Sequence, residues 1–212
     1  MDYSKIIMPK HIGIIMDGNG RWAIEKGLKR SKGHLEGSKN LKKIALYAYE
    51  QGLKCLSIFA FSTENFKRDK EEVDYLMNLF IKMFNKVYKI FNEKNIKVIF
   101  SGRRDNLRAD VLKSMDKISL ETKDNTGGVF NLCINYGGHD EILTAVKAIS
   151  EDAVNKKINI NDIDESLFKK YLYHDLPDID LVIRTSGENR ISNFMLWQLA
   201  YQAADRYTLS TM

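Results

Sequence analysis

Two cysteines and two prolines in 212 residues remove several architectures at once. Cys55 and Cys133 lie in apolar, strand-like runs with no CxxC and no metal-ligand spacing around them, so they read as reduced core residues of a cytoplasmic chain. A disulfide framework and a zinc centre are excluded. With so little proline, no low-complexity tract and no internal repeat, no linker divides the chain, and a single domain over residues 1–212 is expected. No apolar stretch approaches the roughly 20 residues that cross a bilayer, and no leader pattern is found. A soluble or peripheral protein is the expectation.

The chain has 44% hydrophobic and 29% charged residues, enough apolar mass for one substantial core. Its net charge of +5 is spread over Lys-rich helix faces. That suits anionic substrates or an anionic membrane surface, and no nucleic-acid partner is expected. Apolar runs and amphipathic stretches alternate. Strands are predicted near 12–17, 54–61, 96–101, 128–134 and 179–184, and helices near 33–51, 71–94, 105–122, 139–154, 164–173 and 193–204. This βαβα order predicts an α/β fold, a parallel β-sheet flanked by helices on both faces, with the chemistry at the carboxyl ends of its strands.

The groups at those ends are coherent. The run Ile12–Met16 stops at Asp17-Gly18-Asn19-Gly20-Arg21-Trp22. Two glycines let the backbone approach a ligand, the following helix presents its first N–H groups, and Arg21 adds a cation, so a phosphate or diphosphate is the natural guest. Asp17 would repel that guest unless Mg²⁺ stood between them, since Mg²⁺ takes one or two carboxylates plus phosphate oxygens. Gly18 to Ala23 also fits the dinucleotide fingerprint G-x-G-x-x-A, but residues 35–40 read as helix and the next strand ends only at Ser62-Thr63-Glu64, too late for the ribose-binding acid. No G-x-x-x-x-G-K-[ST] loop is present. After the last predicted strand, Arg184, Arg190 and Ser192 form a second anion site. Two anion sites imply two phosphorylated substrates. Between them in sequence, Leu76, Leu79, Phe80, Met83, Phe84, Val87 and Phe91 make one apolar helix stripe, which is either ordinary core or, beside a double diphosphate site, a tunnel for an isoprenoid tail.

These segments resemble a family. His11 to Ala23, Gly33-His34, Phe59 to Phe66, Asn135-Tyr136-Gly137-Gly138, and Arg184 to Phe194 with Leu196-Trp197-Gln198 are similar to the cis-prenyltransferases of the bacterial undecaprenyl diphosphate synthase type. The resemblance covers residues 8 to about 201. It implies Mg²⁺-dependent condensation of isopentenyl diphosphate onto farnesyl diphosphate with cis double bonds, giving undecaprenyl diphosphate for cell-wall synthesis. It also implies a homodimer, with peripheral contact at the inner face of the plasma membrane for product release. Residue by residue, it implies that Asp17 holds Mg²⁺ and aids departure of the allylic diphosphate, and that Gly18, Asn19, Gly20 and Arg21, with Arg30, His34 and Arg68, cradle that diphosphate. Trp22, Ser62, Thr63, Glu64 and Phe66 would line the substrate region, and Asn65 would assist proton removal. Arg184, Arg190, Ile191 and Ser192 would take isopentenyl diphosphate. Without the resemblance, His34 reads equally as a helix cap or surface residue. The helical trans-type synthases carry D-D-x-x-D motifs, which this chain lacks.

The family pattern breaks after Tyr201. Ala203 stands where the family carries a glutamate that completes the metal site, and residues 204–212 do not resemble the aromatic strand and Trp-Pro segment expected there. The break reads as truncation or alteration, and a chain that truly ends so is expected to lack its last strand and much of its dimer contact. The rival reading is a non-catalytic partner subunit. Such a subunit should lose site residues and keep the tail, whereas here Asp17, Asn65, Arg184 and Arg190 are kept.

Overall fold

The computed structural model describes residues 9–200 and 207–209. Six strands form one sheet: β1 His11–Ile15, β2 Cys55–Ser62, β3 Ile96–Ser101, β4 Gly128–Tyr136, β5 Leu181–Thr185 and β6 Tyr207–Leu209. They pair in the order β3-β4-β2-β1-β5-β6, every pair parallel. The helices are α1 Asn19–Glu25, α2 Arg30–Glu50, α3 Lys70–Glu93, α4 Ala109–Glu121, α5 Gly138–Val154 and α6 Glu165–Tyr171. From β1 the chain steps to one side, to β2, and later returns to β1's other side as β5. The sheet's switch point therefore lies between β1 and β5, where open α/β sheets bind ligands.

Alternation along the strands divides the core. Leu56 and Ile58, Val98, and Phe130, Leu132 and Ile134 face one side, where they pack with Leu41 and Ala45 of α2, the α3 stripe, and Val111, Met115 and Ile118 of α4. Phe84 and Phe91 of that stripe are 2% and 0% exposed; each such burial stabilises by about 1.5–3 kcal/mol relative to exposure. Ile15, Cys55, Phe59 and Cys133 face the other side and meet Leu176, Ile179, Phe194 and Met195. A buried polar row also crosses that face. His11 donates from Nδ1 to Pro177 O (2.7 Å), because a carbonyl can only accept; its Nε2 then receives Ser57 O–H (2.8 Å). Ser57 Oγ accepts from Asn131 (3.0 Å), whose Oδ1 accepts from Ser101 (2.9 Å).

Two departures from the sequence reading lie near the C-terminus. No helix forms over 193–200: Ser192, Asn193 and Met195 have φ of +49°, +63° and +41°, which a right-handed helix cannot contain. The rest of that predicted helix, with Ala203, lies outside the described residues. The last strand is not missing, since Tyr207–Leu209 pairs with Ile183–Thr185 of β5.

Candidate active site

Asp17 follows β1 by two residues and is held from β5. Its backbone N–H donates to Thr185 Oγ1 (2.9 Å), whose hydroxyl returns to Asp17 O (2.5 Å). Its carboxylate accepts Gly18 N–H on Oδ1 (2.7 Å) and Arg184 Nη2 on Oδ2 (2.8 Å). Burial pushes the Asp17 carboxyl up. The hydrogen bonds from Arg184 and Gly18 and the charges of Arg184 and Arg21 outweigh it and hold the group below the usual range. Gly18 needs to be glycine twice over, with φ of +84° and a Cβ position 2.6 Å from the Ser186 Cβ.

Arg184 lies on β5 in register with Ile15 and is 8% exposed. Besides Asp17 it reaches Ser192 Oγ through Nη1 (2.8 Å) and the Arg190 carbonyl. Arg184 therefore joins the glycine turn to the 186–192 loop and does not belong to the loop alone. Arg190 is exposed and paired with Glu188; Arg21 contacts Ser186 Oγ and comes within 3.5 Å of Glu188.

Across the mouth, three expected diphosphate ligands converge on one carboxylate. Glu72, in the first turn of α3, receives Arg68 Nη1 at 2.9 Å, lies 3.2 Å from His34 Nε2 and 3.5 Å from Arg30 Nε. Burial raises its pKa, but Arg68, His34 and Arg30 hold it below the usual range. For His34, burial is the largest effect and keeps the imidazole below 6.5 against the pull of Glu72. α1 and α2 bring these groups in by close packing: a Cβ on Gly33 would stand 1.9 Å from Asn19 O, and one on Gly37 2.6 Å from the Asn19 amide. At the end of β2, register shifts against β4 at Phe59–Ser62 set Ala60 and Ser62 toward the site. Asn65 Oδ1 accepts Ser62 N–H (3.1 Å) in a reciprocal capping box, so the candidate proton acceptor is fixed by its own turn.

A cavity of 330 Å³ opens among these groups. Its mouth is formed by Asp17 to Arg21, Arg30, His34, Arg68, Arg184, Arg190 and Ser192, with Ser62, Glu64 and Asn65 on one wall. Its floor is Leu76, Leu79, Phe80 and Met83 of the α3 stripe, so that stripe serves as core and as lining. The side chain of Val87 lies outside the described ones. Trp22, Thr63, Phe66 and Ile191 do not line the cavity; Phe66 stands behind it, edge-on to Phe61 with ring centroids 4.9 Å apart. Glu72 and Ser38 escaped the sequence reading, and Thr185, though inside the quoted motif, was given no role there. Ser38 carried a signal, one helical turn after His34 on α2.

Among the described residues, no group of three or more His, Cys, Asp or Glu could hold a metal ion. A lone, partly exposed carboxylate fits an ion that brings phosphate oxygens and waters as its other ligands, which is the habit of Mg²⁺. Among the described residues, no helix is long and apolar enough to cross a membrane.

A family model described as "Putative undecaprenyl diphosphate synthase" matches residues 15–211. The isoprenyl transferase of Fusobacterium nucleatum is 50% identical over 194 residues, covering 92% of this chain and 82% of its own length. That of Bacillus subtilis is 47% identical over 201 residues, covering 94% and 77%. Among solved structures, lavandulyl diphosphate synthase from Lavandula x intermedia, in complex with dimethylallyl diphosphate, superposes with a TM-score of 0.90 at 32% identity over 95% of this chain and 87% of that one. A probable undecaprenyl diphosphate synthase from Campylobacter jejuni gives 0.77 at 29% identity, covering 98% and 88%. With that sequence match, the all-parallel sheet and a cavity running from basic mouth to apolar floor, this chain belongs to the undecaprenyl diphosphate synthase family of cis-prenyltransferases.

Proposed function

We propose that this transferase condenses isopentenyl diphosphate onto farnesyl diphosphate, each new double bond cis, to make undecaprenyl diphosphate, the lipid-carrier precursor for cell-wall synthesis. The observation that carries the reading is a cavity in which two basic clusters flank Asp17 and an apolar floor lies beneath them. The allylic diphosphate sits on the α1 backbone with Arg21, Arg30, His34 and Arg68, and its tail runs over Leu76, Leu79, Phe80 and Met83. Arg190, Ser192 and Arg184 take isopentenyl diphosphate.

The allylic C–O bond breaks with its electron pair on the leaving diphosphate. The double bond of isopentenyl diphosphate supplies the pair for the new C–C bond, and a proton is lost as the new double bond forms. Preoriented N–H groups and guanidiniums stabilise the departing charge; removing one such donor typically costs about 10²–10³ in kcat. The apolar walls exclude water from the cationic centre. The lost proton is made acidic by adjacent positive charge, so the amide oxygen of Asn65 suffices to receive it on its way to the departing diphosphate. Asp17 is the group that would hold Mg²⁺, which when bound neutralises charge on the leaving diphosphate.

A homodimer and product release at the inner face of the plasma membrane belong to the same proposal. Leu143 and Val146 on α5, 58% and 44% exposed, offer apolar surface to a second copy. Incubation with radiolabelled isopentenyl diphosphate, farnesyl diphosphate and Mg²⁺, followed by chromatography, tests the reaction. A ladder of prenyl products ending near 11 isoprene units, the count that the undecaprenyl name carries, supports it. No incorporation at any protein concentration overturns it.

A further inference from the structure

The turn that presents Ser192 is fastened by a residue with no part in the chemistry above. Phe194 N–H donates to Ile191 O at 3.0 Å, and Ser192 and Asn193 between them both have positive φ. That is the signature of a type I′ turn, whose central positions favour asparagine. One side of the turn is tied to β5, where Arg184 donates to Ser192 Oγ. The other side is tied to α5: Asn193 Oδ1 accepts the His139 N–H at 2.9 Å, and Asn193 O accepts the Gly138 N–H at 2.7 Å. α5 begins after Gly137, which has no side chain to cap it, so Asn193 supplies the cap from 54 residues away. Its Nδ2 lies where a Cβ on Gly137 would come within 2.9 Å. Phe194 anchors the chain beyond the turn, fully buried and stacked on Phe59 with ring centroids 5.0 Å apart.

We infer that Asn193 is a positioning residue for the second diphosphate, fixing the turn so that Ser192 and Arg190 meet isopentenyl diphosphate without searching for their geometry. Without the side-chain bond to His139 N–H, α5 holds the turn only through the main-chain bond from Gly138 N–H to Asn193 O, and small misplacements of binding groups are costly. The inference rests on the proposed reading of Arg190 and Ser192 as ligands of isopentenyl diphosphate.

Three variants test it. Asn193→Gly keeps the positive φ and the main-chain bond to Gly138 but removes the side-chain cap on His139 N–H; Asn193→Asp keeps both the φ and the side-chain acceptor. Gly137→Ala is unstrained in the backbone, at φ −157°, yet pushes its methyl against the Asn193 amide. In separate titrations of the two substrates, Asn193→Gly and Gly137→Ala are each expected to raise the KM for isopentenyl diphosphate about tenfold while that for farnesyl diphosphate stays within about twofold. Asn193→Asp is expected to return most of the loss, and a calorimetric Kd for isopentenyl diphosphate should follow the same order. An unchanged KM for isopentenyl diphosphate in Asn193→Gly, or an equal rise for both substrates, overturns the positioning role. Arg190→Ala serves as control: if it too leaves that KM unchanged, the two-site reading has failed and the inference falls with it.

Discussion

The two sides of the cavity mouth gather similar charge by unlike means. On the allylic side, α1, α2 and α3 carry the groups, and Gly33 and Gly37 let α2 close on α1 around Asn19. On the other side, residues 186–195 have no regular structure; Ser186, Gly187, Ser192, Asn193 and Met195 all have positive φ, and discrete bonds from Arg184 and to α5 hold them. The allylic side is therefore rigid through packing, and the loop side is only as rigid as a few named contacts. Arg184 links them, since one guanidinium reaches both Asp17 and Ser192.

The largest expected effect lies at that link. Asp17→Ala should lower kcat by roughly 10³-fold while the KM for farnesyl diphosphate changes little, because its contribution grows as the leaving group ionises. Steady-state kinetics at saturating substrates checks this, and near-normal turnover would remove Asp17 from the mechanism. Next is the packing claim. Gly33→Ala puts a methyl 1.9 Å from Asn19 O, so α1 and α2 must separate. A loss of about 1–3 kcal/mol in urea unfolding is expected, with a raised KM for farnesyl diphosphate and an unaltered one for isopentenyl diphosphate.

A smaller effect separates the sides by pH. His34 titrates beside Glu72, Arg68 and Arg30, whereas the loop side offers guanidiniums. Burial keeps the native imidazole below 6.5, so the unfolded chain binds the proton first as pH falls. His34's stabilising contribution is present above pH 6.5 and is lost as pH drops through its native pKa. An arriving diphosphate favours the imidazolium, so binding takes up a proton, and the affinity for farnesyl diphosphate should rise about threefold on acidification through that window. The ionisation of the diphosphates is common to both substrates, so the difference between their pH profiles isolates His34. Parallel profiles, or an unaltered difference in His34→Gln, would contradict this.

The same contrast explains what the sequence made legible. Strands, helices and the glycine turn follow from hydrophobic period and local chemistry, and all five predicted strands formed, β4 running on to Tyr136 and α2 starting already at Arg30. The loop side was misread because the spacing of Phe194, Trp197 and Gln198 imitates a helix face, while the left-handed turn before it is fixed by partners far away in sequence. Glu72 was hidden for another reason. An acid next to Glu71 in a first helical turn reads as solvated surface, and only the fold brings two guanidiniums and an imidazole to it. Thr185 was visible within its motif, but its clamp on Asp17 depends on the β1–β5 register.

The central claim, two distinct diphosphate sites on either side of Asp17, is tested most directly by crossed kinetics on Arg68→Ala and Arg190→Ala. Each variant is titrated with one substrate at saturation of the other. The expected result is a rise of about tenfold or more in the KM for farnesyl diphosphate alone in Arg68→Ala, and for isopentenyl diphosphate alone in Arg190→Ala. Comparable rises for both substrates in both variants would contradict it.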